Sequence, residues 1–252
     1  GEGLQHEDGH SHLLAATNPA VVSYDPAFAF ELGHIVKDGL RRMYGPNSEY
    51  IFYYLTVYNE PYVQPAEPEN LDVDGLLRGI YLYAPAAIKS KKNVQLLASG
   101  VGVNWALKAQ KLLAEDFDVA ASVWSVTSWN ELRRDGLSVD RHNMLNPQDQ
   151  QSAYITQKLN GAKGPVIAVS DFMRAVQDQV APWVTQPFAA LGTDGFGLSD
   201  TRGALRRHFK VDAESIVVSA LQQLAAQGEI KPKLIQEAID KYQINDVRAA
   251  DA

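Results

Sequence analysis

Residues 94–126 read VQLLASGVGVNWALKAQKLLAEDFDVAASVWSV and carry the clearest structural signal in this 252-residue chain. The apolar run at 94–99 predicts a buried strand, the helical spacing over 103–115 predicts a helix, and the run at 120–126 predicts a second strand. A strand, a helix and a strand in succession form a βαβ unit, in which the two strands lie parallel. We therefore predict an α/β fold with a mostly parallel sheet.

The same alternation continues on both sides of this unit. A strand at 21–24 ends at Asp25-Pro26, which is typical of a helix start because Asp caps a helix and Pro fits its first turn. A helix follows as far as Gly45, and the aromatic run at 50–57 predicts a strand covered on both faces. The remaining predicted elements are helices at 129–159, a strand at 166–170, and helices at 211–226 and 232–242.

Prolines and glycines mark the breaks between these elements. Three prolines interrupt the polar stretch at 60–70, a composition that resists both helix and sheet, and we predict a domain boundary there. Gly100-Val-Gly102 lies between a predicted strand and a predicted helix. Trp105 replaces the third glycine of a dinucleotide-binding fingerprint, so these glycines indicate a close turn and not a nucleotide site.

The composition excludes several classes of protein. Hydrophobic residues make up 46% of the chain and charged residues 21%, which is typical of a globular protein with a sizeable core. The chain contains no cysteine, so it can form neither disulfides nor a cysteine zinc site. A net charge of -7 argues against a nucleic-acid partner, and no apolar run is long enough to span a membrane. These features are typical of a cytoplasmic enzyme.

The first twelve residues, GEGLQHEDGHSH, contain three histidines and three acids among three glycines. Such a segment packs poorly, because glycine adds backbone entropy and unpaired polar groups are costly to bury. His6 to His10 fit the zinc motif His-Glu-x-x-His, but that motif requires a helix, which Gly9 disfavours. We therefore predict a functional loop without a metal site, with a polar surface loop as the alternative.

This segment, together with SYDPA at 23–27, resembles the active-site region of a family of homodimeric bacterial pyruvate dehydrogenases. Members of that family depend on thiamine diphosphate and form the first component of pyruvate dehydrogenase complexes. Further stretches that resemble the family follow in the same order along the chain. They are DGLRRMYG at 38–45, GIY at 79–81, VQLL at 94–97, SVTS at 125–128, NML at 143–145, LGTDGFG at 191–197 and GEI at 228–230.

The resemblance implies a transketolase-like α/β fold, with the end of a pyrimidine-binding domain at 1–66 and a C-terminal domain at 67–252. It also implies decarboxylation of pyruvate on thiamine diphosphate and transfer of the acetyl group to the lipoyl group of an acyltransferase. The magnesium and diphosphate ligands of the family are expected upstream of this chain. The functional particle would then be a homodimer that includes the N-terminal portion of the subunit, and the chain alone would be inactive.

The resemblance also assigns the candidate site residues. His6 is expected to face the substrate and to exchange a proton with it, while Glu2 lines the site and orients His6 or the bound substrate. His10 and His12 are expected to lie behind them. Two alternatives stay open: another enzyme of the transketolase fold, acting on a longer 2-oxo acid or a sugar phosphate, or a non-catalytic module for dimerisation or docking.

Overall fold

The computed structural model describes residues 7–195 and 197–250, which form two sheets surrounded by helices. The first sheet pairs β1 (Val21–Tyr24) and β2 (Phe52–Leu55) in parallel. The second has five strands in the order β3-β5-β4-β6-β7. Its strands are β3 (Tyr81–Ala84), β4 (Asn93–Ala98), β5 (Ala120–Ser125), β6 (Val166–Val169) and β7 (Phe188–Leu191).

Ten α-helices occur in the described part of the chain. Those that precede β4 are α1 (Ser11–Ala16), α2 (Ala29–Tyr44) and α3 (Val73–Arg78). Those that follow it are α4 (Gly102–Phe117), α5 (Trp129–Leu145), α6 (Tyr154–Lys158), α7 (Arg174–Asp178), α8 (Arg202–Phe209), α9 (Ala213–Ala226) and α10 (Lys233–Lys241). None of these described helices is long and apolar enough to cross a membrane.

The βαβ unit predicted from residues 94–126 is confirmed. β4 and β5 pair in parallel, with Asn93 opposite Ala120, and α4 connects them. β6 pairs in parallel with β4 and β7 with β6, so the sheet is mostly parallel, as predicted. The exception is β3, which pairs antiparallel to β5 at the edge of the sheet.

Helices cover both faces of the five-stranded sheet. Successive side chains of a strand point to opposite faces, so two neighbouring residues of β4 show what packs on each side. In β4, Leu96 is fully buried in a cluster with residues of α4 and α9. The next residue, Leu97, is fully buried in a second cluster with residues of α5 and α6. The near-continuous apolar strands of the sequence therefore reflect a sheet that is buried on both sides.

Two local predictions are wrong. Asp25 does not cap a helix, because α2 begins later, at Ala29, and Glu31 in its first turn reaches back to accept from the amides of Ala27 (2.5 Å) and Phe28 (3.1 Å). The strand β2 is not covered on both faces. Phe52 is 51% exposed, and the other three residues of β2 are only partly buried.

The segment at 56–72, which contains the predicted boundary, has neither helix nor strand. It is nevertheless fastened to α2 by side chains. The Tyr62 hydroxyl donates to the carbonyl of Ala27, and the amide of Ala29 donates to the side chain of Gln64 (3.0 Å). The segment therefore passes along the start of α2 on its way between the two sheets.

Candidate functional site

The described part of the histidine-rich segment forms an ordered entry into α1. Asp8 accepts hydrogen bonds from the amides of His10 (3.0 Å) and Ser11 (2.9 Å), which satisfies donors at the start of the helix. Partial burial acts to raise the pKa of Asp8, but the hydrogen bonds from Ser11 and His10 outweigh it and lower that pKa. The carbonyl of Gly9 accepts from the amide of Met173 (2.9 Å), which ties the segment to the loop after β6.

Residues 7–10, which are the described part of the His-Glu-x-x-His match, are not helical. A zinc site of this type needs both histidines of the motif on one helix. The first described helix, α1, begins only after residues 7–10, at Ser11. Across residues 7–195 and 197–250, no group of three or more metal-ligating side chains comes together. Glu2 and His6, the residues expected to meet the substrate, lie outside the described residues.

His10 and His12 have different surroundings. The imidazole of His10 is 37% exposed and lies 3.9 Å from the Asp8 carboxylate. His12 is only 4% exposed, and its Nε2 lies 3.0 Å from the hydroxyl of Thr56, just after β2. Burial lowers the pKa of His12, against the opposing effect of the nearby carboxylates of Asp25 and Asp8, and so favours the neutral form of its ring.

Two other elements hold His12. Asn130, in the first turn of α5, donates to the carbonyl of His12 (2.7 Å). The ring of Phe172, after β6, meets the imidazole edge-on with 4.7 Å between the ring centres. His12 is therefore the point at which α1 joins the loops after β2 and β6.

A buried carboxylate lies behind this histidine. Asp25 is 1% exposed and accepts from three hydroxyls, those of Thr56 (2.7 Å), Tyr58 (3.0 Å) and Ser99 (2.6 Å). These donors come from the ends of β2 and β4, which belong to different sheets. Asp25 thus connects the carboxyl end of the first sheet to that of the second.

Gly100 makes this connection possible. Its φ of +52° is a left-handed conformation that favours glycine, and a Cβ there would overlap the ring and hydroxyl of Tyr58. The amide of Gly100 donates to the carbonyl of Asp25 (3.0 Å). The interpretation of Gly100-Val-Gly102 as a close turn agrees with this geometry, and the close approach is to a tyrosine.

A cavity of about 680 Å³ opens beside this network, at the carboxyl ends of β2, β6 and β7. In open α/β sheets this edge is where ligands bind, and here it lies next to β4 and β6, between which the strand order reverses. Its apolar wall includes Phe172, Leu205 and Phe209. Its charged lining is Glu7, Asp8, Glu60, Asp171, Arg202 and Arg206.

Four charged groups of the cavity form one connected cluster, made of Glu60, Asp171, Arg202 and Arg206. Arg206 pairs with Glu60 through two hydrogen bonds, lies 3.9 Å from Asp171, and stacks on the ring of Trp105 at 4.4 Å. Arg202 donates to the side chain of Asn59 (2.9 Å). Glu60 and Arg206 therefore hold the loop after β2 against α8.

Asp171 is a carboxyl group of this cluster with a raised pKa. Although 31% of its side chain remains exposed to the cavity, desolvation raises its pKa to about 6, and the pull of Arg206 in the opposite direction does not cancel this effect. A carboxyl with that pKa can both take up and release a proton near neutral pH. The cavity can thus accommodate a small organic molecule between an apolar wall and a group able to exchange protons.

Several of these residues carry no local signal in the sequence. Asp25 precedes a proline and was interpreted as a cap, while Asp171, Glu60 and Arg206 occur in unremarkable polar contexts. A strand followed at once by an acid, as in Ser170-Asp171, is a signal that could have pointed to the carboxyl edge of the sheet. Two histidines of longer helices lie outside the lining of the cavity: His34 on α2 meets Glu67 at 3.2 Å, and His208 on α8 is exposed.

Two family models match the chain. Residues 1–65 match the pyruvate dehydrogenase E1 component middle domain, and residues 79–212 match the transketolase-like TK C-terminal domain. Pyruvate dehydrogenase E1 components of Mycolicibacterium smegmatis and Mycobacterium tuberculosis are 59% and 58% identical over 251 residues. The chain spans only 27% of the length of each of these curated relatives, while the alignments cover 99% of the chain.

A solved transketolase of Pichia stipitis superimposes with a TM-score of 0.61 at 16% identity, covering 88% of this chain and 28% of that protein. At this level of identity the likeness concerns the fold alone, and it agrees with the transketolase-like α/β architecture predicted from the sequence. The chain therefore belongs to the family of transketolase-like C-terminal domains, and along nearly its whole length it is similar to pyruvate dehydrogenase E1 components.

Proposed function

We propose that this chain is part of a pyruvate dehydrogenase subunit, which decarboxylates pyruvate on thiamine diphosphate and transfers the acetyl group to the lipoyl group of an acyltransferase component. The observation that carries this proposal is the collinear similarity to pyruvate dehydrogenase E1 components over 99% of the chain. The subunit would act in the cytoplasm as a homodimer that includes the remaining, N-terminal portion.

We divide the chain into residues 1–66, the end of the pyrimidine-binding domain, and residues 67–252, the C-terminal domain. Two features support this division. The strands of the two-stranded sheet all precede residue 56, and those of the five-stranded sheet all follow residue 80. The segment at 56–72 between them contains neither helix nor strand.

The role of this chain in the reaction would be to bind the substrate and handle its protons. When bound, thiamine diphosphate supplies the nucleophile and the electron sink. His6 is proposed to hold a proton toward the substrate carboxylate or the new hydroxyl, because an imidazole exchanges protons readily near neutral pH. Glu2 is proposed to line the same site and to orient His6 or the substrate.

The described residues support this role indirectly. The segment that follows His6 is held by Asp8, Gly9 and His12, which fasten it to α1 and to the loops after β2 and β6. A group that transfers protons gains rate from such fixed placement. The ligands of magnesium and of the diphosphate are proposed to come from the rest of the subunit.

The proposal is tested by assaying the full-length subunit with thiamine diphosphate and magnesium. We expect carbon dioxide release from pyruvate, a much slower reaction with longer 2-oxo acids, and none from the 252-residue chain alone. Transfer between sugar phosphates without decarboxylation of pyruvate would instead identify a transketolase. A full-length subunit without either activity would indicate a non-catalytic docking module.

A further inference from the structure

The hydrogen bonds between His12, Thr56 and Asp25 have a fixed direction. The three hydroxyl donors around Asp25 fit a carboxylate, which can only accept. Thr56 has one hydroxyl proton, and the oxygens within its reach, those of Asp25 at 2.7 Å and of the Tyr24 carbonyl at 3.3 Å, can only accept it. The Thr56 oxygen therefore accepts from His12 at 3.0 Å, which requires the proton of the neutral imidazole to be on Nε2.

A second chain of hydrogen bonds reaches the same carboxylate from the other sheet. The indole of Trp129 can only donate, and it donates to the hydroxyl of Ser99 at 3.1 Å. Ser99 in turn donates to Asp25 at 2.6 Å. Both series of hydrogen bonds thus end on Asp25. A substitution of this residue would therefore reverse or break the hydrogen bonds of both series.

The backbone of Asp25 is fixed as well. Its amide donates to the carbonyl of Thr127 (2.8 Å), after β5, and its carbonyl accepts from Gly100 (3.0 Å), after β4. The second sheet therefore fixes the position of the Asp25 carboxylate. The Thr56 hydroxyl, which is hydrogen-bonded to both groups, links that position to the imidazole of His12. Buried, fully paired polar networks of this kind define one arrangement of the elements that they join.

From this geometry we infer that Asp25 is a positioning residue for the histidine-rich segment, acting on His12 through the hydroxyl of Thr56. The inference rests on the proposed function, in which that segment carries the substrate-facing groups. Asp25, which is buried and does not line the cavity, would not touch the substrate itself. Asp25 and Thr56 would set the tautomer and position of His12, and so the position of residues 7–11, which come directly before it.

The test compares two substitutions of Thr56 in the full-length subunit. Thr56→Val keeps the shape of the side chain but removes the hydroxyl, whereas Thr56→Ser keeps the hydroxyl and removes the methyl group. We expect Thr56→Val to lower kcat for pyruvate by about 10²-fold, the cost of misplacing a reacting group by about 1 Å. Thr56→Ser should stay within a few-fold of the wild type, and KM should change little in either variant.

A readout that does not depend on activity accompanies the kinetics. Hydrogen exchange of the backbone amides at 7–16, measured by mass spectrometry, should become faster in Thr56→Val and remain at the wild-type rate in Thr56→Ser. Thr156→Val is the matched control, because it removes a half-buried threonine hydroxyl that bonds the carbonyl of Trp183, outside the lining of the cavity. It should change neither kcat nor exchange at 7–16.

The possible outcomes separate the inference from the proposed function. Thr56→Ser as impaired as Thr56→Val, or Thr56→Val with wild-type kcat and exchange, would overturn the inference. If the wild-type subunit does not decarboxylate pyruvate, the proposed function fails, and the exchange data still decide whether Thr56 positions the segment. Should Thr56→Val fail to fold, His12→Gln, which presents an amide donor near the Nε2 position, should retain more activity than His12→Leu.

Discussion

At the scale of single residues, Asp171 makes the stability of the molecule depend on pH. Its pKa is raised from 3.8 to about 6 in the folded chain, so the folded state binds the proton more tightly than the unfolded chain does. The stability that this proton contributes is complete below about pH 3.8 and is lost as the pH rises through about 6. Above pH 6 the folded protein therefore contains a carboxylate in unfavourable surroundings.

We expect Asp171→Asn to raise the Tm at pH 7.5 by about 2–6 °C, which corresponds to a gain of roughly 1–2 kcal/mol in a protein of this size. We set this gain in free energy below the value that corresponds to the full pKa shift, because the side chain of Asp171 is partly exposed to the cavity. Near pH 4 the difference between variant and wild type should be close to zero. Thermal unfolding at both pH values checks this, and an equal shift in Tm at each would refute it.

Gly100 provides a second test at this scale, with a matched control in the same chain. Gly100 and Gly161 both have left-handed backbone, with φ of +52° and +78°, but a Cβ would meet Tyr58 at Gly100 and nothing within 4 Å at Gly161. Gly161→Ala should cost about 1–2 kcal/mol from backbone strain alone. Gly100→Ala should cost clearly more, because it also displaces Tyr58 from Asp25. Equal losses in urea unfolding would show that the contact with Tyr58 is unimportant.

The candidate site could be predicted from the sequence only in part. The histidine-rich segment is recognisable because its residue types lie close together in the chain. Asp25 was misinterpreted because its partners Thr56 and Ser99 are 31 and 74 residues away, and no local pattern reports such contacts. Asp-Pro is a common helix start, but here tertiary hydrogen bonds take the carboxylate that would otherwise cap α2.

At the scale of elements, α2 begins where Glu31 can reach four donors. This carboxylate is fully buried and takes the amides of Ala27 and Phe28 on one oxygen and the hydroxyls of Tyr81 and Ser125, each at 2.6 Å, on the other. Burial raises the pKa of Glu31, against the effect of these hydrogen bonds. Glu31 therefore connects the first turn of α2 to β3 and β5.

Glu31→Ala should lower the free energy of unfolding by about 2–4 kcal/mol, since it leaves buried donors without an acceptor. The matched control is Glu49→Ala, which removes an acid that pairs with Arg42 at the surface and should cost less than about 1 kcal/mol. Equilibrium unfolding in urea measures both. Equal losses in the two variants would mean that the start of α2 does not depend on Glu31.

Elements with a clear apolar pattern are predicted well from the sequence, and three of the shorter elements are missed. The strands β4, β5 and β6 and the helices α4 and α9 are confirmed close to their predicted bounds, because each shows several turns or pairs of a clear apolar pattern. β3 and β7 have four residues each and α3 has six, and none of them contains the run of β-branched residues that marks the equally short β6. Packing against the rest of the sheet, and not local propensity, determines these elements.

At the scale of the whole molecule, the first sheet leaves apolar side chains uncovered. Tyr50 is 100% and Phe52 is 51% exposed, and in the described residues the sheet has only two strands, fewer than an independent sheet needs. Val63 and Tyr44 are 93% and 78% exposed nearby in the chain. Exposed apolar groups of this extent are typical of surfaces that other protein covers.

We expect the 252-residue chain by itself to associate at micromolar concentration, and the double variant Tyr50→Ser with Phe52→Thr to associate less. Met144→Ser is the control, because Met144 is 74% exposed but belongs to α5 and not to a strand of this sheet. Light scattering coupled to size-exclusion chromatography gives the mass of each species. A monomeric wild-type chain, or equal association of all three proteins, would contradict a covered first sheet.

The most direct test of the proposed function is the turnover of pyruvate by the full-length subunit with His6→Ala. Removal of a positioned group that transfers protons should lower kcat by about 10²- to 10⁴-fold, with the fold and the affinity for thiamine diphosphate nearly unchanged. His208→Ala, an exposed histidine on α8, should retain wild-type turnover. Wild-type turnover in His6→Ala would remove the histidine-rich segment from the chemistry and contradict the assignment of its role.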